Sequence, residues 1–173
     1  MRILGINGVW CHTNPIWNTL VPAFKEKFPD AQFVIEEDSG CWPTEVRRMR
    51  KFVDHLYDKY DDGVDALLVG HSMGGIYASA LANRFQRSTV RGVVTIFSPH
   101  SFLGGVFPLV LGVTPLKAPI VSFRATRDML VWWGTKHRQS IAHTDLSCDH
   151  FVQLSRSKEL AEKIADDTKK ALF

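Results

Sequence analysis

The stretch Ala66-Leu67-Leu68-Val69-Gly70-His71-Ser72-Met73-Gly74-Gly75 is the most informative part of this chain. Its first four residues are apolar at every position, which is typical of a strand buried in a parallel sheet. Residues 70–74 match the pattern Gly-x-Ser-x-Gly, and residues 73–85 read as a helix. A nucleophile on a sharp turn between strand and helix needs glycines on either side, because other backbone passes close to it. The stretch therefore predicts a candidate nucleophile at Ser72.

Short apolar runs alternate with longer segments of helical period on both sides of this stretch. The alternation predicts an α/β fold with about six mostly parallel strands and helices on both faces of the sheet. In such folds the site lies beyond the carboxyl ends of the strands. The predicted strands are residues 3–6, 32–36, 66–69, 93–97, 120–123 and 139–143, and the predicted helices open at Asn14-Pro15, Pro43-Thr44, Met73 and Ser157.

Length and composition predict one globular domain over residues 1–173. Hydrophobic residues make up 45% of the chain and charged residues 23%, which excludes disordered and coiled-coil proteins. The formal net charge of +3 is too small to indicate a nucleic acid or an anionic membrane as partner. The uncharged stretch 92–116 contains four glycines and three prolines, so we do not expect it to span a membrane. The sequence leaves the oligomeric state open.

The N-terminus runs directly into an apolar four-residue pattern and lacks the features of a secretory leader. Three cysteines, Cys11, Cys41 and Cys148, are too few for a disulfide framework in a chain of this length. We therefore expect free thiols and a cytoplasmic location, with a bridge between Cys11 and Cys41 as the less favoured alternative. No acidic cluster predicts a calcium or other metal site, and we expect no cofactor.

A serine nucleophile needs a general base, and the base needs a carboxylate that orients it. Asp128 follows the fifth predicted strand and His150 follows the sixth, which is the chain order expected after a nucleophile of this kind. His137 and His143 are the alternatives for the base. We favour His150 because it stands in a loop after the last strand, whereas His143 lies within that strand.

Asp145 and Asp149 are the alternatives for the carboxylate. Asp149 is adjacent to the favoured histidine, and an aspartate in that position rarely reaches the histidine Nδ1. His71 lies inside the turn but is expected to point away from Ser72. Asp128 is therefore the favoured acid.

The oxygen that becomes negative during attack needs two N–H donors. One is expected from Met73, the residue after the nucleophile, at the N-terminus of the following helix. The other is expected from the loop Asn7-Gly8-Val9-Trp10 after the first strand, where Gly8 lets the backbone approach the serine. The N–H of Val9 is the preferred candidate, with Trp10 next.

Together these residues resemble a small α/β-hydrolase of the lipase and esterase type, over nearly the whole chain. Asn7 stands where that family commonly has a histidine, and the family's first two strands are absent. The resemblance implies a minimal hydrolase fold without a large cap domain. The matching segments are Asn7-Gly8-Val9-Trp10, Gly70-His71-Ser72-Met73-Gly74-Gly75, Asp128, Asp149-His150-Phe151 and Val93-Val94-Thr95-Ile96-Phe97-Ser98-Pro99-His100, the last of them similar to the strand and Pro-His segment of bacterial lipases.

The resemblance implies hydrolysis of a carboxylic ester through an acyl-enzyme on Ser72. The uncharged stretch is rich in large apolar side chains, for which an apolar acyl pocket and core packing beneath a short lid are the two interpretations. The pocket predicts a small-molecule ester with an apolar acyl group as the partner. Hydrolysis of thioesters or amides by the same triad is the alternative, and a non-catalytic binding module is the third hypothesis. The expected substrate-binding residues are Trp10, His100, Phe102, Phe107 and Trp132.

Overall fold

The structure, a computed structural model, describes residues 1–8, 15–37, 46–100, 115–131 and 136–173. The described strands form one sheet and are β1 (Arg2–Ile6), β2 (Gln32–Glu36), β3 (Ala66–His71), β4 (Val90–Ile96), β5 (Ile120–Ala125) and β6 (Ser140–Leu146). The described helices are α1 (Trp17–Lys27), α2 (Val46–Tyr60), α3 (Met73–Arg84), α4 (Val152–Arg156) and α5 (Lys158–Leu172).

The six strands lie in the order β2-β1-β3-β4-β5-β6, and every neighbouring pair is parallel. This arrangement confirms the predicted α/β fold. The chain runs from β1 outward to β2 and then returns to form β3 on the other side of β1. The carboxyl ends of β1 and β3 therefore flank the position where the strand order reverses, which is where open α/β sheets form their sites.

Alternate residues of each central strand enter two separate apolar cores. Leu4 and Leu68 pack in the core beneath α2 and α3. Ile3 and Leu67 pack in the core beneath α1 and α5. Helices thus cover both faces, which explains why the central strands are apolar at successive positions.

The start of α1 corrects the prediction that Asn14-Pro15 opens this helix. The helix begins at Trp17, and its N-cap residue is Ile16, whose side chain makes no capping hydrogen bond. The carbonyl of Pro15 instead accepts the N–H of Asn18 in a turn that precedes the helix. Such tight turns are common at helix starts, and a cap pattern in the sequence does not distinguish them from the first α-helical turn.

Two further differences lie at the carboxyl edge of the sheet. β4 ends at Ile96 rather than at Phe97, whose φ of 52° takes the chain out of the strand. The helix α4 was not predicted, because five residues are too few to show a helical period. Both differences are close to the predicted site, and both change the direction of the chain there.

None of the described helices is long and apolar enough to cross a membrane. Cys148 is buried and free. Cys11 and Cys41 lie outside the described residues, so their redox state and the cytoplasmic location stay predictions.

Candidate active site

Ser72 occupies the turn between β3 and α3 in a conformation that L-residues rarely adopt. Its φ and ψ are 55° and −127°, and its N–H donates to the carbonyl of Ile96 at 2.9 Å. Non-glycine residues with such angles are strained and occur preferentially at functional turns. The half-buried serine is thus held at the carboxyl edge of the sheet, at the N-terminus of a twelve-residue helix.

Close packing around this turn explains the glycines on either side. A Cβ added at Gly74 would lie 2.0 Å from the carbonyl oxygen of Ile6, at the end of β1. A contact this short with backbone cannot be relieved by rotating a side chain. The glycine therefore lets α3 begin directly against the neighbouring strand.

The loop after β1 reaches the same turn. A Cβ at Gly8 would lie 3.0 Å from Ser72 Cβ and 3.1 Å from the backbone nitrogen of Met73. The backbone of this loop is therefore close to both the predicted nucleophile and one predicted N–H donor. Val9 and Trp10, the candidates for the second donor, lie outside the described residues.

The predicted acid and base, Asp128 and His150, are hydrogen-bonded to each other. His150 Nδ1 lies 2.5 Å from Asp128 Oδ2, and both residues are buried. The other carboxylate oxygen, Oδ1, accepts the N–H groups of Leu130 and Val131 at 2.8 and 2.9 Å. These three hydrogen bonds fix the carboxylate and leave its Oδ2 directed at the imidazole.

The electrostatics of this pair favour an ionised Asp128. Burial by itself raises the pKa of the carboxyl group. The hydrogen bonds from His150, Val131 and Leu130 outweigh burial, so the pKa of Asp128 lies below its ordinary value. Because an ionised carboxylate only accepts hydrogen bonds, the proton between the two groups belongs to His150 Nδ1. His150 Nε2 then has a free lone pair while the ring is neutral.

His71, the residue before Ser72, contacts His150. His71 Nε2 lies 3.1 Å from the carbonyl oxygen of His150, and the two imidazole centroids are 4.9 Å apart. The hydrogen bonds between described residues do not include one from Ser72 Oγ to His150 Nε2. Such bonds are often long in hydrolases without substrate and shorten only in the reacting complex.

The rival acid Asp145 and the rival base His143 have other partners. Asp145 binds Arg124 through two hydrogen bonds of 2.9 and 2.6 Å and accepts a third from His143 Nε2 at 3.1 Å. His143 Nδ1 lies 3.0 Å from Ser122 Oγ. These hydrogen bonds join Ser122, His143 and Asp145 between β5 and β6, and the serine is fully buried.

The other rival carboxylate, Asp149, binds backbone N–H groups at the start of a helix. Its Oδ1 accepts the N–H groups of Phe151 and Gln153 at 3.0 and 3.1 Å, at the start of α4. This orients the loop that contains His150. Asp149 therefore positions backbone, whereas Asp128 contacts the imidazole.

Among the predicted substrate-binding residues, His100 is the one that the structure describes. Both of its ring nitrogens are buried and have no hydrogen-bond partner among the described residues. Burial, with His137 as the second cause, lowers the pKa of His100 to about 3. The two rings meet edge to face at 4.9 Å. His137, the remaining rival base, is therefore buried against another imidazole.

The other predicted substrate-binding residues lie outside the described residues; they are Trp10, Phe102, Phe107 and Trp132.

Sequence reasoning missed the contact between His71 and His150. His71 was expected to point away from the nucleophile, which gave no reason to connect it with a residue 79 positions later.

The described part of the chain contains no group of three or more histidine, cysteine or carboxylate side chains that could hold a metal ion.

Comparisons with known proteins agree with this architecture. A 155-residue alignment with a GPI inositol-deacylase of Candida albicans is 26% identical and covers 82% of this chain but 37% of the relative. A pimeloyl-[acyl-carrier protein] methyl ester esterase of Legionella pneumophila is 29% identical over 97 residues, which are 56% of this chain and 38% of the relative. The chain thus spans less than two fifths of either curated relative.

Solved structures match nearly the whole chain. The RedJ thioesterase from the prodiginine biosynthetic pathway of Streptomyces coelicolor superposes with a TM-score of 0.65 at 16% identity, covering 99% of this chain and 90% of that one. At this identity the likeness shows a shared fold. A sequence model described as the Alpha/beta hydrolase family matches residues 6–136. The match runs from the end of β1 and includes the serine turn and Asp128, and the chain is accordingly a member of the Alpha/beta hydrolase family.

Proposed function

We propose that the protein is a serine hydrolase that cleaves carboxylic esters, with Ser72 as nucleophile, His150 as general base and Asp128 as the orienting carboxylate. The observation that supports this most directly is the buried hydrogen bond from His150 Nδ1 to Asp128 Oδ2, beside the strained serine turn. It leaves Nε2 of the neutral ring as the proton acceptor, which is what a serine hydroxyl requires.

In the proposed first step, Ser72 Oγ attacks the ester carbonyl carbon while its proton moves to His150 Nε2. The carbonyl oxygen becomes an oxyanion that accepts hydrogen bonds from the N–H groups of Met73 and Val9. The positive end of the α3 dipole stabilises the same charge. Collapse of the intermediate breaks the bond to the alcohol oxygen, and this oxygen takes the proton from His150. An acyl group remains on Ser72.

In the second step, a water molecule gives a proton to His150 Nε2 and attacks the acyl carbonyl. The second tetrahedral intermediate collapses with return of that proton to Ser72 Oγ, and a carboxylic acid leaves. Asp128 stays ionised throughout and stabilises the imidazolium that forms twice. Each step conserves atoms and protons with the proposed triad and water as the reacting groups.

We further propose a substrate with an apolar acyl group, held near Trp10, His100, Phe102, Phe107 and Trp132. The names of both curated relatives describe ester or acyl cleavage, which is consistent with this class. His100 is neutral and has no hydrogen-bond partner among the described residues, so it would supply a polar atom to the proposed, otherwise largely apolar, set. Pockets of this composition bind apolar ligands and use few polar atoms to orient them.

A fluorophosphonate probe tests the nucleophile. We expect the wild-type protein to be labelled on Ser72, and Ser72→Ala to lose both labelling and ester hydrolysis by about 10⁴-fold or more. Ser147→Ala is the matched control, since this exposed serine lies outside the proposed triad and its variant should react as the wild type does. Retained turnover in Ser72→Ala, or a wild-type protein that is neither labelled nor active, would exclude the serine hydrolase and favour a binding module.

Substrate class is tested with 4-nitrophenyl esters of increasing acyl length, together with matched thioester and amide compounds. An apolar acyl site predicts that kcat/KM rises with chain length before it reaches a plateau. A flat response would contradict the apolar acyl site. Faster cleavage of the thioester or amide than of the matched ester would replace the ester assignment by a thioesterase or amide deacylase.

A further inference from the structure

The imidazole of His71 is a buried group that the proposed reaction steps do not use. His71 is the last residue of β3, immediately before Ser72, and its side chain is fully buried. Its ring faces that of His150 at 4.9 Å, and the rings of Phe97 and Phe151 lie 6.0 and 5.3 Å away. Aromatic contacts on three sides restrict the orientation of this imidazole.

The hydrogen bond to His150 defines the tautomer of His71. Nε2 lies 3.1 Å from the main-chain carbonyl oxygen of His150. A carbonyl oxygen can only accept, so the proton of the neutral ring must be on Nε2. Burial is the largest cause that lowers the pKa of His71 well below its ordinary value, and the nearby His150 lowers it further. His71 therefore donates this hydrogen bond as a neutral group.

A neutral neighbour suits the chemistry proposed for His150. The base becomes an imidazolium each time it takes a proton from serine or water. A positive charge on a ring 4.9 Å away would oppose that change, since like charges at this distance in a buried site repel strongly. The burial of His71 removes this repulsion while keeping its N–H donor.

His150 is thus fixed at two separate atoms. Asp128 holds the ring at Nδ1, and His71 holds the main chain at the carbonyl. With both ends fixed, the direction in which Nε2 points is restricted. We propose that His71 is a positioning residue that orients the main chain of His150 so that its Nε2 faces Ser72. This inference rests on the proposed function for the identity of the base, but its geometric content can be measured without any substrate.

The test compares variants that separate the donor from the ring. His71→Gln places an amide N–H the same number of bonds from Cβ as His71 Nε2 and so keeps the donor. His71→Phe keeps an aromatic ring without a donor. His71→Leu is a second donor-free variant, in case the larger phenyl ring prevents folding. Thermal unfolding and circular dichroism establish which variants are folded.

The first readout is NMR of protein labelled with [¹⁵N]histidine, which needs no activity. In the wild type and in His71→Gln we expect the proton on His150 Nδ1, bonded to Asp128, to exchange slowly with water. In His71→Phe and His71→Leu it should exchange rapidly, because the main chain of His150 is no longer held. The assignment of this proton is checked by its loss in His150→Gln.

The second readout is the rate of reaction. We expect the two donor-free variants to lose about 10- to 100-fold in kcat/KM and in the rate of fluorophosphonate labelling, with KM nearly unchanged, because a small misplacement of a base is costly. His71→Gln should retain most of the wild-type rate. A role in packing alone predicts the reverse: losses that follow thermal stability and no rescue by the amide.

Two results would overturn the proposal. One is slow exchange at His150 Nδ1 and wild-type rates in a folded donor-free variant, and the other is equal loss in His71→Gln and His71→Leu at similar stability. Failure of the proposed function is seen separately, as absence of label on Ser72 in the wild type. In that case the exchange measurement alone still decides whether His71 fixes His150.

Discussion

Three aspartates lie at or after the ends of the last two strands: Asp128 follows β5, Asp145 lies near the end of β6, and Asp149 follows β6. Their partners determine what each can do. Asp145 is paired with Arg124, and Asp149 accepts backbone N–H groups at the start of α4. Asp128 divides its two oxygens between a backbone turn and the imidazole of His150. At the scale of single residues, the partner rather than the residue type distinguishes an orienting carboxylate from a structural one.

If the proposed triad is correct, Asp128→Asn should reduce turnover by about 10⁴-fold, the loss that this substitution causes in a Ser-His-Asp triad, with little loss of structure. Asn Oδ1 can still accept the N–H groups of Leu130 and Val131. The amide NH₂, however, donates to His150 Nδ1 and moves the ring proton to Nε2, where it blocks proton transfer from Ser72. Steady-state hydrolysis and circular dichroism measure the two effects.

Asp145→Asn is the matched control, because it removes a carboxylate of the same region that contacts Arg124 and His143 instead of His150. Its rate should stay within about twofold of the wild type. If the two asparagine variants lost similar activity, the assignment of Asp128 as the orienting acid would be wrong.

Cys148 predicts a dependence of stability on alkaline pH. Burial, followed by the charge of Asp149, raises the pKa of its thiol to about 11, whereas a thiol in an unfolded chain ionises at about 8.5. Between these values the folded chain keeps a proton that the unfolded chain has lost. The free energy of unfolding should therefore fall as pH rises across this window.

Urea unfolding at about pH 8 and about pH 10 measures this decline in the wild type and in Cys148→Ala. Alanine removes the thiol, so the variant should be less stable at the lower pH but should lose less stability between the two. Parallel declines in the two proteins would show that Cys148 does not contribute.

At the scale of secondary structure elements, the site depends on how closely α3 approaches β1. The turn at Ser72 forms only if the first turn of α3 sits against the end of β1, and Gly74 makes that distance possible. The same approach brings Gly8 beside Met73, so one packing contact aligns the loop after β1 with the helix N-terminus. The positions of the proposed nucleophile and of the proposed N–H donors are therefore linked.

Gly74→Ala is expected to lower the free energy of unfolding by about 3 kcal/mol or more, because the added methyl meets the backbone of Ile6 at 2.0 Å. Gly92→Ala is the matched control. Its methyl would lie 2.5 Å from the end of the Leu172 side chain, which can rotate away, so a loss of about 1 kcal/mol or less is expected. Urea unfolding of both variants provides the comparison, and similar losses would contradict the importance of the α3–β1 contact.

At the scale of the whole molecule, buried carboxylates join elements that are distant in sequence. Asp61 follows α2 and accepts the backbone N–H groups of Gln86, Arg87 and Ser88 in the loop between α3 and β4. Burial raises the pKa of Asp61, but these hydrogen bonds outweigh it and leave the pKa below its ordinary value. The pH at which the protein unfolds in acid should therefore depend on Asp61.

The direction of this dependence follows from proton binding. The unfolded chain takes up a proton at Asp61 at about pH 4, whereas the folded chain does so only at lower pH. The contribution of Asp61 to the free energy of unfolding is therefore fully present above about pH 4, and it is lost as the pH falls toward the pKa of Asp61 in the folded state.

Asp61→Asn should be less stable than the wild type at neutral pH and should lose less stability on acidification. Unfolding in urea from about pH 6 to about pH 3 measures both slopes, and equal slopes would contradict this role.

The sequence by itself determined the six strands and the four longer helices, in their order. Runs such as Leu67-Leu68-Val69 are apolar throughout because helices cover both faces of a parallel sheet, and this composition is visible without coordinates. The Gly-x-Ser-x-Gly turn and the order of Asp128 and His150 after it likewise follow from local pattern. Local pattern also placed one element start wrongly, at Asn14-Pro15, since capping residues suit several kinds of turn.

Only the tertiary structure decided which polar groups meet. Asp128 and Asp145 both follow or end a strand, yet one contacts His150 and the other Arg124, according to strand register and the path of each loop. The contact between His71 and His150 joins residues 79 positions apart and depends on the packing of β3 against the loop after β6. Apolar burial acts on every residue of an element and leaves a periodic signal, whereas a single hydrogen bond between distant residues leaves none.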